Sequence, residues 1–264
     1  MQMRLEPYSN NCRGIDVADL TERLDGLVDT YSIDTVTEQY KRLEFISKAS
    51  HYVNLKSASV MELGSASGNL TALLASQCRR VVAVDGSARF LEIARSRVGK
   101  FPVEFVHAMF ENLRHSDTFD LLVMHHILEH VDAPVPLLAA LREFLRFGGV
   151  FAITVPNAHA LSRQLAMKMG LLQSLYDLTE NDNRHGHQRV YDWPTLEQDV
   201  MKAGYEIVGR HGLALKLFAD FQNEQIVKAG IIGDAQLRGL WSMADQYRDV
   251  AGAIMVILRV APDQ

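Results

Sequence analysis

The chain has 264 residues, 48% of them apolar, a formal net charge of −5 and ten histidines. That length holds one large α/β domain, or one domain with a small cap. The acidic balance, with no Lys/Arg run or basic stripe interleaved with aromatics, argues against nucleic acid as the substrate.

The two cysteines, Cys12 and Cys78, fit neither a disulfide framework nor a zinc site. The first thirteen residues carry Arg4, Glu6, Asn10, Asn11 and Arg13 without the apolar stretch of a signal peptide. No apolar run approaches the ~18 residues that span a bilayer. A cytoplasmic protein with reduced thiols and no membrane partner is expected.

Residues 15–55 are predicted to be mainly helical. Leu20, Leu24 and Leu27 recur at helix spacing, and Val36, Tyr40, Leu43 and Ile46 do so again, with Asp34 or Thr35 as the cap. Residues 1–58 therefore read as an N-terminal helical cap. From residue 59 the pattern changes to strands alternating with helices: strands at 60–63, 80–84, 103–107, 119–124 and 150–155, helices at 69–76, 88–98 and 136–144. Gly148-Gly149 is expected to close the last of these helices. Such alternation implies right-handed crossovers in a parallel, doubly wound sheet. Residues 157–192 break the rhythm with an amphipathic helix (Leu161, Leu165, Met169), a glycine turn and a polar stretch. An insertion after a strand's C-terminal end is positioned to roof a ligand crevice. A helix at 195–203 and late strands at 205–211 and 253–260 then complete a seven-stranded sheet, within a C-terminal part spanning 193–264.

The chemistry centres on Glu62-Leu63-Gly64-Ser65-Ala66-Ser67-Gly68, between a predicted strand and a helix. Glycine there lets the backbone turn sharply and approach a ligand closely. The next helix N-terminus offers free N–H groups to an anion. Asp85 ends the following strand, where a carboxylate can accept both hydroxyls of a ribose. Strand, glycine loop, helix, strand and acid in this order point to a nucleoside cofactor without naming it.

The segment 59–156 resembles the small-molecule branch of class I S-adenosylmethionine (SAM)-dependent methyltransferases, of the type 11/12 kind. Glu62, Gly64 and Gly68 match that family's acid and glycine loop, with Ser65 inside it and Ala66 in the middle glycine position. A negative φ at Ala66 is expected to accommodate the extra methyl. Asp85, followed by Gly86, matches the acid that holds the ribose. His107-Ala108-Met109-Phe110-Glu111 stands where the family carries an Asp near the adenine, which leaves that contact to the Phe110 amide and to packing by Met109. His125-His126-Ile127-Leu128-Glu129-His130-Val131 is similar to the family's Leu-Glu-His-Val segment, placing His125 and His126 beside the methionine end. Arg146-Phe147-Gly148-Gly149 resembles its Pro-Gly-Gly turn. Beyond residue 156, Val155-Pro156-Asn157-Ala158, Gly186-His187-Gln188-Arg189-Val190-Tyr191-Asp192 and Ala203-Gly204-Tyr205 resemble a narrower group acting on sugars, quinone precursors and specialised metabolites.

The resemblance implies a Rossmann-like fold, SAM as cofactor, S-adenosyl-L-homocysteine as product and a small-molecule acceptor methylated on O, N or C. A homodimer is compatible with it. Histidine suits the removal of an acceptor proton, because its reference pKa of ~6.5 lies near working pH. His187, His185 and His126 are the catalytic candidates, and His159, Arg189 and Tyr191 the acceptor-side ones. Arg189 and Tyr191 equally suit anchoring the insertion to the sheet, and His130 a structural hydrogen bond. Tyr31 and Tyr40 suit the core better than a lid over the cofactor. Met167, Met169, Phe218 and Phe221 line an apolar pocket or simply pack. No metal site is expected, since no carboxylate–histidine constellation accompanies His185 and His187 in the sequence. A nicotinamide-dependent oxidoreductase shares the loop and the acid, and a non-catalytic SAM-binding subunit is the other alternative.

Overall fold

Runs of Val, Leu, Ile and Ala buried on both faces form the middle of a seven-stranded sheet, as expected where helices cover each side. The computed structural model describes residues 24–28 and 35–262. Its strands are β1 (Ser59–Leu63), β2 (Arg80–Asp85), β3 (Val103–His107), β4 (Phe119–His125), β5 (Leu145–Pro156), β6 (Tyr205–Leu213) and β7 (Ala253–Val260). They lie in the order β3-β2-β1-β4-β5-β7-β6. β1 to β5 pair in parallel, whereas β7 runs antiparallel to both β5 and β6. The mostly parallel, doubly wound sheet is the one expected. Strand order reverses between β1 and β4, so a crevice opens beyond the C-terminal ends of those two strands.

Adjacent residues of a strand point to opposite faces, and two apolar cores follow from that alternation. Met61, Leu63, Val82 and Leu122 face one side. There they meet helices α4 (Pro134–Leu141) and α7 (Trp193–Lys202) through Leu137, Leu138, Leu196 and Val200. Val60, Val81, Leu121 and Val123 face the other. They pack against α1 (Val36–Ala49) and α2 (Asn69–Gln77) through Phe45, Ile46, Leu70 and Leu74. Helix α3 (Ala88–Val98) returns the chain from β2 to β3.

Thr35 is the cap of α1, its hydroxyl accepting from the Glu38 amide at 3.2 Å; Asp34, Leu20, Tyr31 and Cys12 lie outside the described residues. Phe45 is fully buried, so α1 belongs to the packing of the sheet itself. Tyr40, half-buried, packs against Trp241 with ring centroids 3.8 Å apart and planes tilted by 45°, which joins it to a small apolar cluster. Gly148-Gly149 does not close a helix. The pair lies inside β5, where pairing with β4 shifts register between Phe119 and Leu121. A Cβ on Gly149 would lie 2.9 Å from the Phe119 carbonyl, so the glycine permits that irregularity. The expected preceding helix is α4 plus a 3-10 turn at Arg142–Phe144.

Between β5 and α7 stand two short helices, α5 (Leu161–Lys168) and α6 (Glu180–Arg184). Gly170, at φ 76°, follows α5, as a left-handed residue often follows a helix. The predicted stripe of α5 buries no residue, and Met169 is 62% exposed. Two further helices, α8 (Asp220–Lys228) and α9 (Asp234–Ser242), lie between β6 and β7. Among the described residues no helix is long and apolar enough to cross a membrane.

Replacing Phe45 by Ala removes a fully buried ring shared by α1 and the sheet, and should cost ~3–5 kcal/mol in urea unfolding. A loss below ~1 kcal/mol would show α1 to be peripheral.

Candidate functional site

The loop after β1 folds sharply because three of its residues take positive φ: Gly64 at 85°, Ala66 at 42° and Gly68 at 79°. Gly64 is packed so tightly by the Ile127 side chain that a Cβ would lie 2.1 Å from its Cδ1. Gly68 caps α2 and lies against Ala94 of α3, with room for no side chain. Ala66 departs from the negative φ expected of it. Its left-handed backbone, unfavourable for an L-residue by roughly 1–2 kcal/mol, is held by a hydrogen bond from the Ala66 amide to Asp85 Oδ2 at 2.9 Å.

Asp85 also accepts from the Ser87 amide at 2.9 Å through Oδ1. One buried carboxylate therefore ties the β1 loop to the β2 loop. Burial pushes its carboxyl up to about 6, against the pull of those two amides. Burial likewise pushes Glu62 up to about 8. Beside Asp85, a Cβ on Gly86 would lie 2.7 Å from Met109 Sδ and 2.8 Å from Leu24 Cδ1. Leu24 and Met109 thus form an apolar wall next to the carboxylate. Phe110 opens a 3-10 turn and packs against the core.

Across the crevice, β4 ends in His125 and His126. His125 lies edge-on to Phe45 and to His126, and among the described residues neither of its ring nitrogens has a partner. Burial, reinforced by the charges of His126, Arg42 and Lys41, holds its pKa well below the ordinary histidine value, so it is neutral. His126 takes φ 57°, a left-handed conformation that non-glycine residues adopt mostly under constraint. Its amide donates to the Thr154 carbonyl at 2.9 Å. Its Nδ1 lies 3.3 Å from Glu129 Oε1, and its Nε2 is buried with no partner among the described residues. Glu129 is fully buried. Burial favours its neutral form, but the His126 hydrogen bond and the charges of His126, His130 and His187 outweigh that and hold its pKa below the ordinary value.

The insertion meets this strand end through backbone and ring contacts. The Gln188 amide donates to the Glu129 carbonyl at 2.8 Å. His187 stands edge-on to His130 with ring centroids 4.7 Å apart, and its Nδ1 lies 3.0 Å from Asp182 Oδ1. His185, at the C-terminal cap of α6, has its Nδ1 3.3 Å from Asn181 Nδ2, and its ring centroid lies 6.4 Å from that of His187. His159 is half exposed and sits 3.7 Å from Asp192 Oδ2 and 3.5 Å from the Tyr176 hydroxyl. The Arg189 guanidinium donates to the Val131 and Asp132 carbonyls. Tyr191 is buried, its hydroxyl donating to Asp199 Oδ2 at 3.0 Å. Both residues anchor the insertion instead of facing the crevice.

Glu62, Gly64, Ser65, Ala66, Gly68, Asp85, Gly86 and Met109 thus gather on one side of the switch point, and His125 and His126 on the other, with His187 reaching in from the insertion. Glu129 and Arg42 were not anticipated. Arg42 is buried on α1, and its charge reaches both Glu62 and His125. The available signal was its position one turn before the core residues Phe45 and Ile46.

The folded Asp85 carboxyl titrates near 6 and an unfolded one near 3.8, so folding takes up a proton between those values. This group's contribution to stability is complete below about 3.8 and is lost as pH rises through about 6. Urea unfolding across that window should lose less stability with rising pH in Asp85→Asn than in the wild type. Equal slopes would contradict the buried, proton-binding carboxyl.

A family model described as a methyltransferase domain matches residues 36–209. The chain is 27% identical over 134 residues to the mitochondrial ubiquinone biosynthesis O-methyltransferase of Schizosaccharomyces pombe, covering 48% of this chain and 49% of that protein. It is 26% identical over 179 residues to the tRNA 5-carboxymethoxyuridine methyltransferase of Escherichia coli K12, covering 63% and 66% respectively. The chain spans about half to two thirds of the length of these curated relatives. Its fold superposes on the N-methyltransferase NodS of Bradyrhizobium japonicum, crystallised with S-adenosyl-L-homocysteine, at TM-score 0.58 and 13% identity over 92% of this chain and 98% of that one. The match of the family model across most of the sheet and both sides of the crevice settles the family: this chain belongs to the methyltransferase domain family.

Proposed function

We propose that this chain transfers a methyl group from SAM to a small-molecule acceptor bound under the insertion. The observation that carries the reading is a group of buried polar atoms at the C-terminal ends of β4 and β5 that have no protein partner among the described residues. They are both ring nitrogens of His125, His126 Nε2 and Thr154 Oγ1. Buried polar groups are normally paired, so such a group at the switch point fits a polar ligand. Asp85 retains lone pairs for the two ribose hydroxyls while accepting from Ala66 and Ser87. The N-terminus of α2 and the charge of Arg42 favour the carboxylate end of the cofactor. Met109 offers an apolar wall to the adenine.

When bound, the sulfonium supplies an electrophilic methyl. The residues of this chain must orient the acceptor and take its proton. His126 is equipped for that proton. Glu129 accepts from Nδ1–H, which fixes the tautomer that presents the Nε2 lone pair. The strained backbone of His126 is consistent with a residue held in place for a task.

A small acceptor is favoured over RNA by the net charge of −5 and by the insertion, which the Gln188 and Arg189 bonds fasten across the mouth of the crevice. The relative named for tRNA methylation makes RNA the reading to test against. Incubation with methyl-labelled SAM should label a member of a panel of phenols, sugars, hydroxy acids and amines, and leave bulk tRNA unlabelled; the reverse would overturn the proposal.

Asp85→Ala should weaken SAM binding in calorimetry by at least ~2 kcal/mol, about 30-fold. Unchanged affinity would show the cofactor site to be misplaced. His126→Ala should lower turnover about 100-fold or more while changing SAM affinity by less than about threefold. Equal losses in both would reject its role as proton acceptor.

A further inference from the structure

Glu129 and His130 are neighbours in one 3-10 turn, Leu128–His130, and His187 comes from the insertion, yet the three converge. One carboxylate oxygen of Glu129 and one ring nitrogen from each histidine all lie within 4.8 Å of one another. We propose that these three residues form a binding site for a divalent first-row cation, placed beside His126 with coordination positions open to an oxygen of the acceptor. The inference rests on the reading of the crevice as the acceptor site.

Four observations carry it. First, Glu129 is fully buried and its Oε2 has no hydrogen-bond partner among the described residues. A carboxylate oxygen is costly to bury unpaired, and a cation among these ligands would satisfy it. Secondly, the ligand type is right: two imidazoles and one carboxylate form the set that holds zinc or iron(II) with positions left for a reacting ligand. Thirdly, a carboxylate stands beside one of the rings, as one does beside many metal-binding histidines. His187 Nδ1 faces Asp182 Oδ1 at 3.0 Å. Asp182 is in turn fixed by the Thr179 amide and hydroxyl and by Arg163. Finally, the backbone clamps the two halves together through Gln188 N–H to the Glu129 carbonyl and Arg189 to the Val131 and Asp132 carbonyls. The anchoring role found for Arg189 thereby becomes part of the assembly of the site.

The chemical consequence concerns the acceptor class. A cation held by three protein ligands retains positions for two adjacent oxygens, so it suits an acceptor bearing vicinal hydroxyls or a hydroxyl beside a carboxylate. Coordination lowers the pKa of a bound hydroxyl, which eases the task of His126.

The protein, stripped with a chelator and dialysed against Zn2+, should retain one equivalent by elemental analysis. With Co2+ it should show a visible d–d band that shifts when acetohydroxamate, a two-oxygen chelator, is added. His130→Gln and His187→Gln should each lower Zn2+ affinity about tenfold or more, while His51→Gln, beyond the end of α1, should not. Retention far below one equivalent by a wild type that still binds SAM, or equal retention in all variants, would overturn the cation site and leave the methyl-transfer reading intact. An unshifted Co2+ band would overturn the open positions. Failure of the wild type to bind SAM would instead tell against the proposed function.

Discussion

The hydrogen bonds from the Ala66 and Ser87 amides to the Asp85 carboxylate hold this crevice together. They join the loop after β1 to the loop after β2, and so set the distance between the glycine turn and the acid. The left-handed backbone of Ala66 is offset by that bond. The cost shows on the other partner as well, since a carboxyl buried deeply enough to reach both amides is pushed up to about 6. An acid placed this way is poised to gain from hydroxyl donors, which stabilise its charged form.

The opposite wall follows a similar logic with histidines. His125 is driven neutral by burial, His126 is strained into a left-handed conformation, and Glu129 is buried beneath three imidazoles. Glu129 orients His126 through one oxygen, and its other has no partner among the described residues. One carboxylate thus links the proposed proton acceptor to the proposed cation ligands, coupling the geometry of both to the insertion through Gln188.

Much of this was legible in the sequence, where the signals are local. Glycines that punctuate a strand and an acid at the end of the next one located the loop and Asp85, and the repeated Val and Leu runs located the sheet. What escaped was set by distant partners. The φ of Ala66 depends on a carboxylate 19 residues away. The burial of Arg42 depends on how α1 lies on the sheet, and a charged residue at helix spacing reads as solvated. Arg189 and Tyr191 were weighed as acceptor contacts and as anchors, and only the positions of Val131, Asp132 and Asp199 distinguish the two. Glu129 and His130 stood in the motif all along, but their convergence with His187 required the fold of the insertion. Gly148-Gly149 illustrates the opposite error: a pair that commonly ends a helix here relieves a register shift within β5.

The glycine loop and Asp85 are proposed to form one cofactor site. Amide hydrogen exchange in the presence and absence of SAM tests it most directly. Protection should rise together at residues 64–68 and 85–87, with a further rise at 125–127. Protection confined to one of the two loops, or absent from both while SAM is bound, would contradict it.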